Sequence, residues 1–141
     1  MKQLYSYCVL LFFIFFSTNS CTKNSEPNGQ RTVANIAGTY QLVGFTKTIN
    51  DTTYNAFDTM SVCKKGNLVQ FNTDMTVNYT NSTGTCTFPP NRTGTWHLDG
   101  DYIYLDDDAL KIKNFNGKTL ALTSISMKDP GVINFITWVK K

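Results

Sequence analysis

Histidine is almost absent from this 141-residue chain, and that scarcity limits the chemistry it can carry out. A hydrolase triad needs a histidine base between a nucleophile and an orienting acid. His97 is the single histidine, and in the alternating run Trp96-His97-Leu98 it points away from the side of its two apolar neighbours. We therefore predict an exposed strand histidine and no enzymatic activity.

Clustered positive charge is also missing. The chain has 13 Lys and Arg against 10 Asp and Glu, a formal net charge of +3, and the cations are scattered apart from Lys64-Lys65 and Lys140-Lys141. Nucleic-acid binding needs grouped cations that displace counterions from phosphates. Phosphate-cradling glycine loops of the Walker or dinucleotide type are absent as well. We expect no nucleic-acid partner and no cofactor.

The acidic residues do cluster, at Asp99, Asp101 and Asp106–Asp108. Both groups lie where turns are predicted, and Asp is a common turn residue. A calcium loop would need regularly spaced ligands and a closing Glu, which neither group has. We predict turns here and no metal site.

Long hydrophobic runs are confined to the N-terminus. Lys2 precedes nine apolar residues in a row, from Cys8 to Phe16, and the small polar residues 17–20 follow them. The run is too short for a bilayer core, which needs about 20 residues, but it matches the h-region of an export signal. Residues 1–20 are therefore predicted to be a removable signal peptide.

Cys21 directly follows this segment and resembles the cysteine of a bacterial lipobox. In bacterial lipoproteins, signal peptidase II cuts before that cysteine, which carries a thioether diacylglycerol. Ser20 fits the motif, whereas Thr18 stands where leucine is favoured. Cleavage by signal peptidase I is the alternative, since Thr18 and Ser20 are both small. The resemblance implies a lipid anchor at Cys21 in the bacterial cell envelope, on the periplasmic or the surface face of the outer membrane.

The number of cysteines supports the anchor. Of the four cysteines, Cys8 leaves with the signal, and an odd thiol among Cys21, Cys63 and Cys86 would invite pairing between chains in an oxidising compartment. Lipidation of Cys21 leaves an even pair, for which we predict a Cys63–Cys86 disulfide worth about 3 kcal/mol in the chain-entropy model. A metal site is the alternative, but it would need more ligands than one histidine supplies.

The remaining chain divides into a tether and one domain. Residues 21–35 contain the anchor and a polar run rich in Asn, Ser, Thr, Pro and Gly, which is typical of a flexible tether because it has little to bury. Over residues 36–141 the hydrophobic periodicity is close to two, as in Leu110-Lys111-Ile112-Lys113, and no window shows a sustained helical stripe.

Turn residues separate eight predicted strands in this domain. Asn72 to Met75 and Asp99-Gly100-Asp101 lie between alternating runs, and Asp-Gly is a strong hairpin signal. The strands are predicted at residues 38–48, 67–72, 76–81, 93–99, 102–106, 109–114, 118–126 and 132–140. Closing such an antiparallel meander into an eight-stranded up-and-down barrel, an all-β fold, removes exposed sheet edges. The long gap from Asn50 to Gly66 leaves room for a lid or a crossover.

The order of motifs resembles that of the bacterial lipocalin-like lipoproteins, a family with the lipocalin barrel. The resemblance covers residues 36–141 and rests on the segments Ile36–Leu42, Val69–Thr76 and Thr93–Leu98, together with the positions of Cys63 and Cys86. It implies an eight-stranded barrel, which is wide enough either to hold one small ligand or to be filled by side chains.

Two positions depart from the family pattern. Lipocalins carry Gly-x-Trp on the first strand with the Trp on the barrel floor, whereas Tyr40 stands in that place here and a Gly-x-Trp occurs at Gly94–Trp96. In one hairpin, Asp74-Met75 replaces the usual Asp-Gly.

Alternation along the strands predicts which side chains face the interior, whether they form a plain core or line a ligand cavity. They are Tyr40, Leu42, Val69, Phe71, Val77, Tyr79, Trp96, Leu98, Ile103, Leu105, Leu110, Ile112, Leu120 and Leu122. The last strand, 132–140, is apolar in both registers, so alternation does not define its facing.

Two functions are compatible with these features. The barrel of a membrane-anchored lipoprotein would bind a small apolar or amphipathic ligand. Alternatively, a filled barrel would act as a protein-interaction module, such as an enzyme inhibitor or a subunit of an envelope complex. A connected apolar cavity favours a ligand, whereas an exposed apolar or charged patch favours a protein partner. We expect ligand binding by a monomer that is attached to the membrane through Cys21.

Overall fold

The computed structural model describes residues 29–81, 91–126 and 129–141. Within them the elements are α1 (Val33–Ile36), β1 (Gly38–Ile49), β2 (Thr52–Asn55), α2 (Val62–Gly66), β3 (Leu68–Phe71), β4 (Thr76–Thr80), β5 (Arg92–Asp99), β6 (Tyr102–Leu105), β7 (Asp108–Phe115), β8 (Thr119–Ile125) and β9 (Val132–Lys140). In this part of the chain no helix has the length and hydrophobicity needed to cross a bilayer. The predicted signal peptide and Cys21 lie outside the described residues.

Eight antiparallel strands close into a barrel, as predicted. β3 to β9 pair in sequence order, and β1 pairs with β3 on one side and with β9 on the other. The β1–β9 pairing runs from Tyr40–Lys140 to Ile49–Val132. Because this pairing joins the first strand to the last, the all-β, up-and-down fold class is confirmed.

A ninth strand lies in the segment that was expected to hold a lid or a crossover. β2 pairs antiparallel with residues 46–49 of β1. Asn50 and Asp51 form the two-residue turn between them, and both have positive φ, 47° and 62°. That pattern is typical of a type I′ hairpin, which twists in the same sense as the flanking strands. α2 follows in the same gap, with Ser61 as its N-cap.

The two ends of the barrel differ. The lower end carries α1 and the turns after β3, β5 and β7, whereas the upper end carries the turns after β1, β6 and β8. In α1, Ile36 is fully buried and Val33 packs against the core. Thr32 caps this helix by accepting a hydrogen bond from the Asn35 backbone N–H. The last residues of the predicted tether therefore belong to the folded domain, which begins before residue 36.

Aromatic side chains fill the lower half of the barrel. The ring centroid of Phe71 lies 5.6 Å from that of Tyr40, 5.0 Å from that of Trp96 and 5.8 Å from that of Trp138. The contacts with Tyr40 and Trp96 are edge-to-face, an arrangement that the charge distribution of aromatic rings favours. Trp96 Nε1 donates to the Asn72 carbonyl at 2.8 Å, so the buried indole N–H has a partner.

The side chains predicted to face the interior pack together in this core. Eleven of the fourteen are buried, and Leu42, Tyr79 and Leu98 are partly buried against the others. The buried set is completed by Ile36, Phe115 and Trp138. A ligand-lining role for any of the fourteen stays a prediction, since packing in a core and lining a cavity need the same side chains.

Candidate ligand site at the upper end of the barrel

An irregularity in β1 determines which residues line the upper end. The register between β1 and β9 shifts between Leu42 and Gly44, so the alternation moves by one residue. As a result Val43 is exposed and Phe45 faces the same side as Leu42. Strict alternation misses this change. The glycine inside the strand is the sequence signal that could have indicated a bulge.

The apolar sequence of β9 does not show which of its side chains face the interior, whereas the structure does. Trp138 is buried and Ile136 packs against the core, so the even-numbered residues point inward. Ile133 and Phe135 are on the outer face, each 39% exposed.

An apolar layer lies above the aromatic core. Phe45 pairs with Ile136, and Ile136 pairs with Leu122. Directly opposite residues of antiparallel strands point to the same face of the sheet. Leu122 is buried, whereas Phe45 and Ile136 are only partly buried. Apolar surface therefore remains partly accessible at this end of the barrel.

A polar layer lies one step further up. Lys47 pairs with Asn134, and Asn134 pairs with Ser124. Asn134 Nδ2 donates to Ser124 Oγ at 3.4 Å, and the Lys47 ammonium is 5.7 Å from the centroid of the Phe45 ring. We call these two layers the mouth. Its residues are Phe45, Lys47, Leu122, Ser124, Asn134 and Ile136.

The opposite wall, at β4 and β5, carries an ion pair. The guanidinium carbon of Arg92 lies 3.8 Å from the centroid of the Tyr79 ring, and Arg92 Nη1 donates to Asp106 Oδ2 at 2.7 Å. Asp106 Oδ1 also accepts from the Thr95 backbone N–H at 2.9 Å. The hydrogen bonds from Arg92 and Thr95 lower the pKa of the Asp106 carboxyl, and burial raises the pKa of Tyr79. Because Asp106 neutralises Arg92, Lys47 is the better candidate for binding an anionic group.

The histidine and the aspartates of the β5–β6 turn do not line the mouth. His97 is exposed on the outer face, as predicted, and stacks on Tyr104 with ring centroids 4.5 Å apart. Asp99 is the last residue of β5, and Asp101 lies in the β5–β6 turn, where it pairs with Arg31. Among the described residues, no group of three or more His, Cys, Asp or Glu side chains is arranged to hold a metal ion.

Tyr40 occupies the barrel floor, where the lipocalin pattern has tryptophan. Its side chain is fully buried, and its hydroxyl donates to the Ile36 carbonyl at 2.8 Å. Burial raises the pKa of Tyr40 to about 12. The phenol therefore closes the floor by joining β1 to α1.

Two predicted covalent features stay predictions. Cys63 lies in α2. The N-cap of this helix is Ser61, whose hydroxyl accepts a hydrogen bond from the Lys64 backbone N–H. Cys86, its predicted disulfide partner, and Cys21, the predicted lipidation site, both lie outside the described residues.

Comparison with known proteins assigns the chain to a family. Residues 16–124 match the family model DUF5004, described as a domain of unknown function. No functionally curated protein matches the sequence. The match covers more than half of the 141 residues, from before α1 into β8, and the closed eight-stranded barrel fits the lipocalin-like resemblance. The chain therefore belongs to the DUF5004 family.

Proposed function

We propose that this protein is a lipid-anchored lipoprotein of the bacterial envelope whose barrel binds a small amphipathic molecule at the mouth. The observation that carries this proposal is the layering at the upper end. Partly exposed apolar side chains lie directly below a polar layer that contains Lys47. Among the described residues, the lower end offers no equivalent, because α1 and the aromatic cluster occupy it.

The two layers indicate how such a ligand would be oriented. Its apolar part would lie against Phe45 and Ile136, which are pre-positioned by the β1–β9 ladder. Its polar head would lie at Lys47, Asn134 and Ser124, where a cation and hydrogen-bonding side chains are available. A pocket that combines an apolar lining with a few converging polar groups is typical of small-molecule sites.

Calorimetric titration of the exported Cys21→Ser chain tests the proposal, because removal of the anchor avoids detergent, which would compete for the mouth. Dodecanoate and dodecanol serve as probes with the same apolar tail and different heads. We expect both to bind, and we expect Lys47→Glu to weaken dodecanoate binding roughly tenfold, the scale of one charge-assisted contact, with little effect on dodecanol.

Lys113→Glu is the matched control, since Lys113 is an exposed lysine near the lower end of β7. It should leave the binding of both probes unchanged. A chain that binds neither probe, and that carries no small molecule in native mass spectra after purification from its host, would contradict ligand binding and favour the protein-interaction alternative.

A further inference from the structure

The outer surface of β4 and β5 differs from that of β6 to β9. On β4 and β5 it is polar, and the Thr93 hydroxyl donates to Asn78 Oδ1 at 2.9 Å. On β6 to β9 it carries four exposed large apolar or aromatic side chains, 39% to 66% exposed. We call these four the outer band. They are Tyr102, Ile125, Ile133 and Phe135.

Strand register brings Ile125, Ile133 and Phe135 together and places Tyr102 at the far end of the row that contains Phe135. Ile125 pairs directly with Ile133. In the neighbouring row, Tyr102 pairs with Lys111, Lys111 with Thr123, and Thr123 with Phe135. Since adjacent strands are about 4.8 Å apart, this row spans roughly 14 Å. Monomeric proteins seldom expose contiguous apolar surface without a use for it.

The composition of the outer band fits the interface of a lipid bilayer. Phenylalanine and isoleucine side chains can enter the acyl-chain boundary, while tyrosine places its ring there and keeps its hydroxyl in water. Lys111 is the charged residue within the rows, and its ammonium lies 5.9 Å from the centroid of the Tyr102 ring. A lysine at such an edge can extend its ammonium to the phosphates of the lipid headgroups.

The first described residues lie at the lower end of β6 and β7, two of the strands from β6 to β9 on which the outer band is found. Arg31 pairs with Asp101 in the β5–β6 turn, and Gly29 lies against the Phe115 carbonyl at the lower end of β7. Cys21 is eight positions before Gly29 in the chain, so the two lie at most about 28 Å apart. Lys111 is four residues above Phe115 on the same strand, about 13 Å away.

We infer that the outer band rests on the surface of the bilayer that holds the Cys21 anchor, so that the barrel lies on its side. This inference rests on the anchor in the proposed function. It adds which face of the barrel meets the lipid, and it does not depend on whether the mouth binds a ligand. A second copy of the chain is the competing occupant of the same face.

Quenching by brominated lipids tests the inference in the full, lipidated chain. Phe135→Trp places an indole on the outer band, and Thr93→Trp places one on the polar outer surface of β4 and β5 as the matched control. The native Trp96 and Trp138 are buried and contribute the same background to both. Each chain is reconstituted in phosphatidylglycerol vesicles mixed with phosphatidylcholine that is brominated on its acyl chains, and circular dichroism verifies the fold.

We expect the added Phe135→Trp fluorescence to fall by roughly half or more, because interfacial side chains reach about 5–10 Å into the headgroup and acyl boundary. The Thr93→Trp fluorescence should not change. Equal quenching of both, or of neither, overturns the inference, and Ile133→Trp provides a second reporter if Phe135→Trp does not fold. An unquenched outer band together with a dimer mass in sedimentation would assign the face to a second copy.

The anchor is checked separately by the mass of the purified chain. A lipidated chain with an unquenched outer band contradicts the inference alone. A chain without lipid at Cys21 contradicts both the anchor and the docking that depends on it.

Discussion

Met75 is in a backbone conformation that suits glycine better than methionine. Its φ is 67°, in the left-handed region, within the hairpin that joins β3 to β4. The backbone there is well bonded, since Met75 N–H donates to the Asn72 carbonyl at 3.2 Å and the Met75 carbonyl accepts from Trp96 N–H at 2.8 Å. The turn thus holds a side chain in a conformation that costs roughly 1–2 kcal/mol.

Met75→Gly should therefore stabilise the protein. Relief of the left-handed conformation outweighs the extra chain entropy of glycine, about 0.5–1 kcal/mol, and the methionine side chain is already 40% exposed. We expect a net gain of about 0.5–1 kcal/mol, measured as a rise of a few degrees in Tm. An unchanged or lower Tm would mean that the methionine side chain makes contacts that compensate for the conformation.

Asp106 has the same kind of backbone conformation, with φ at 52°, but its side chain is used. The carboxylate bonds to Arg92 and Thr95, and it occupies the space that a Cβ on Gly94 would need. Glycine is therefore required at position 94, because the Asp106 carboxylate from the β6–β7 turn leaves no room for a side chain there. Glycine at 106 would relieve the backbone and lose both hydrogen bonds, so the same substitution should have opposite effects at 75 and at 106.

The contribution of Asp106 should depend on pH. The hydrogen bonds from Arg92 and Thr95 hold its pKa below the ordinary value of 3.8 in the folded state. The stabilisation is therefore complete above the pKa of the unfolded chain and is lost as the pH falls through the lower folded pKa. In urea unfolding, wild type should be more stable than Asp106→Asn at pH 7, and the difference should shrink towards pH 2. A difference that is constant with pH would show that the loss in Asp106→Asn is not electrostatic.

At the scale of elements, the joint between β1 and α1 depends on one hydroxyl. Tyr40→Phe removes the hydrogen bond to the Ile36 carbonyl and leaves that buried acceptor without its partner, at a cost of about 1–3 kcal/mol. Thermal unfolding should show a Tm several degrees lower. Tyr54→Phe is the control, because Tyr54 is 54% exposed on β2 and its substitution should leave Tm unchanged.

The stability difference between wild type and Tyr40→Phe should also depend on pH in the alkaline range. Burial raises the pKa of Tyr40 to about 12 in the folded state, above the value of about 10 in an unfolded chain. The stabilisation by the phenol is therefore complete below pH 10 and declines as the pH rises towards 12. The stability difference between wild type and Tyr40→Phe should decrease over that interval. A Tyr40 that titrates near pH 10 in absorbance would contradict its burial.

The elements were predictable where one face of a strand is buried and the other is in water. Leu110-Lys111-Ile112 alternates without interruption, and both leucine and isoleucine are buried as expected. β2 was not predictable by that rule, because all four of its residues are exposed. Its hairpin turn, Asn50-Asp51, lacks the glycine that usually marks such a turn, although Asn and Asp tolerate positive φ.

The mouth was less predictable than the core, for a similar reason. Alternation from Tyr40 through Leu42 continues to Gly44 and would place Phe45 outside, but the bulge reverses the facing of everything that follows. A bulge is set by how two strands fit together, which a single sequence does not display. Alternation therefore does not predict Lys47 as a mouth residue, because its position in the polar layer depends on how β1, β9 and β8 pair.

At the scale of the whole molecule, the barrel closure and the cysteines decide where stability resides. β1 and β9 join the two ends of the domain through backbone pairing, and the predicted disulfide would add stability through the unfolded state. Reduction of a Cys63–Cys86 bond should therefore destabilise the barrel by roughly 3 kcal/mol without preventing it from folding.

Counting free thiols in the mature, unreduced chain tests the covalent predictions together. If Cys8 leaves with the signal, Cys21 carries lipid and Cys63 is bonded to Cys86, none of the three remaining cysteines should react with a thiol reagent in denaturant. One reactive thiol would indicate an unmodified Cys21 and cleavage by signal peptidase I. Two thiols that map to Cys63 and Cys86 would contradict the disulfide and leave the anchor in place. Since each outcome maps to different residues, peptide mass spectrometry of the labelled chain identifies which covalent prediction fails.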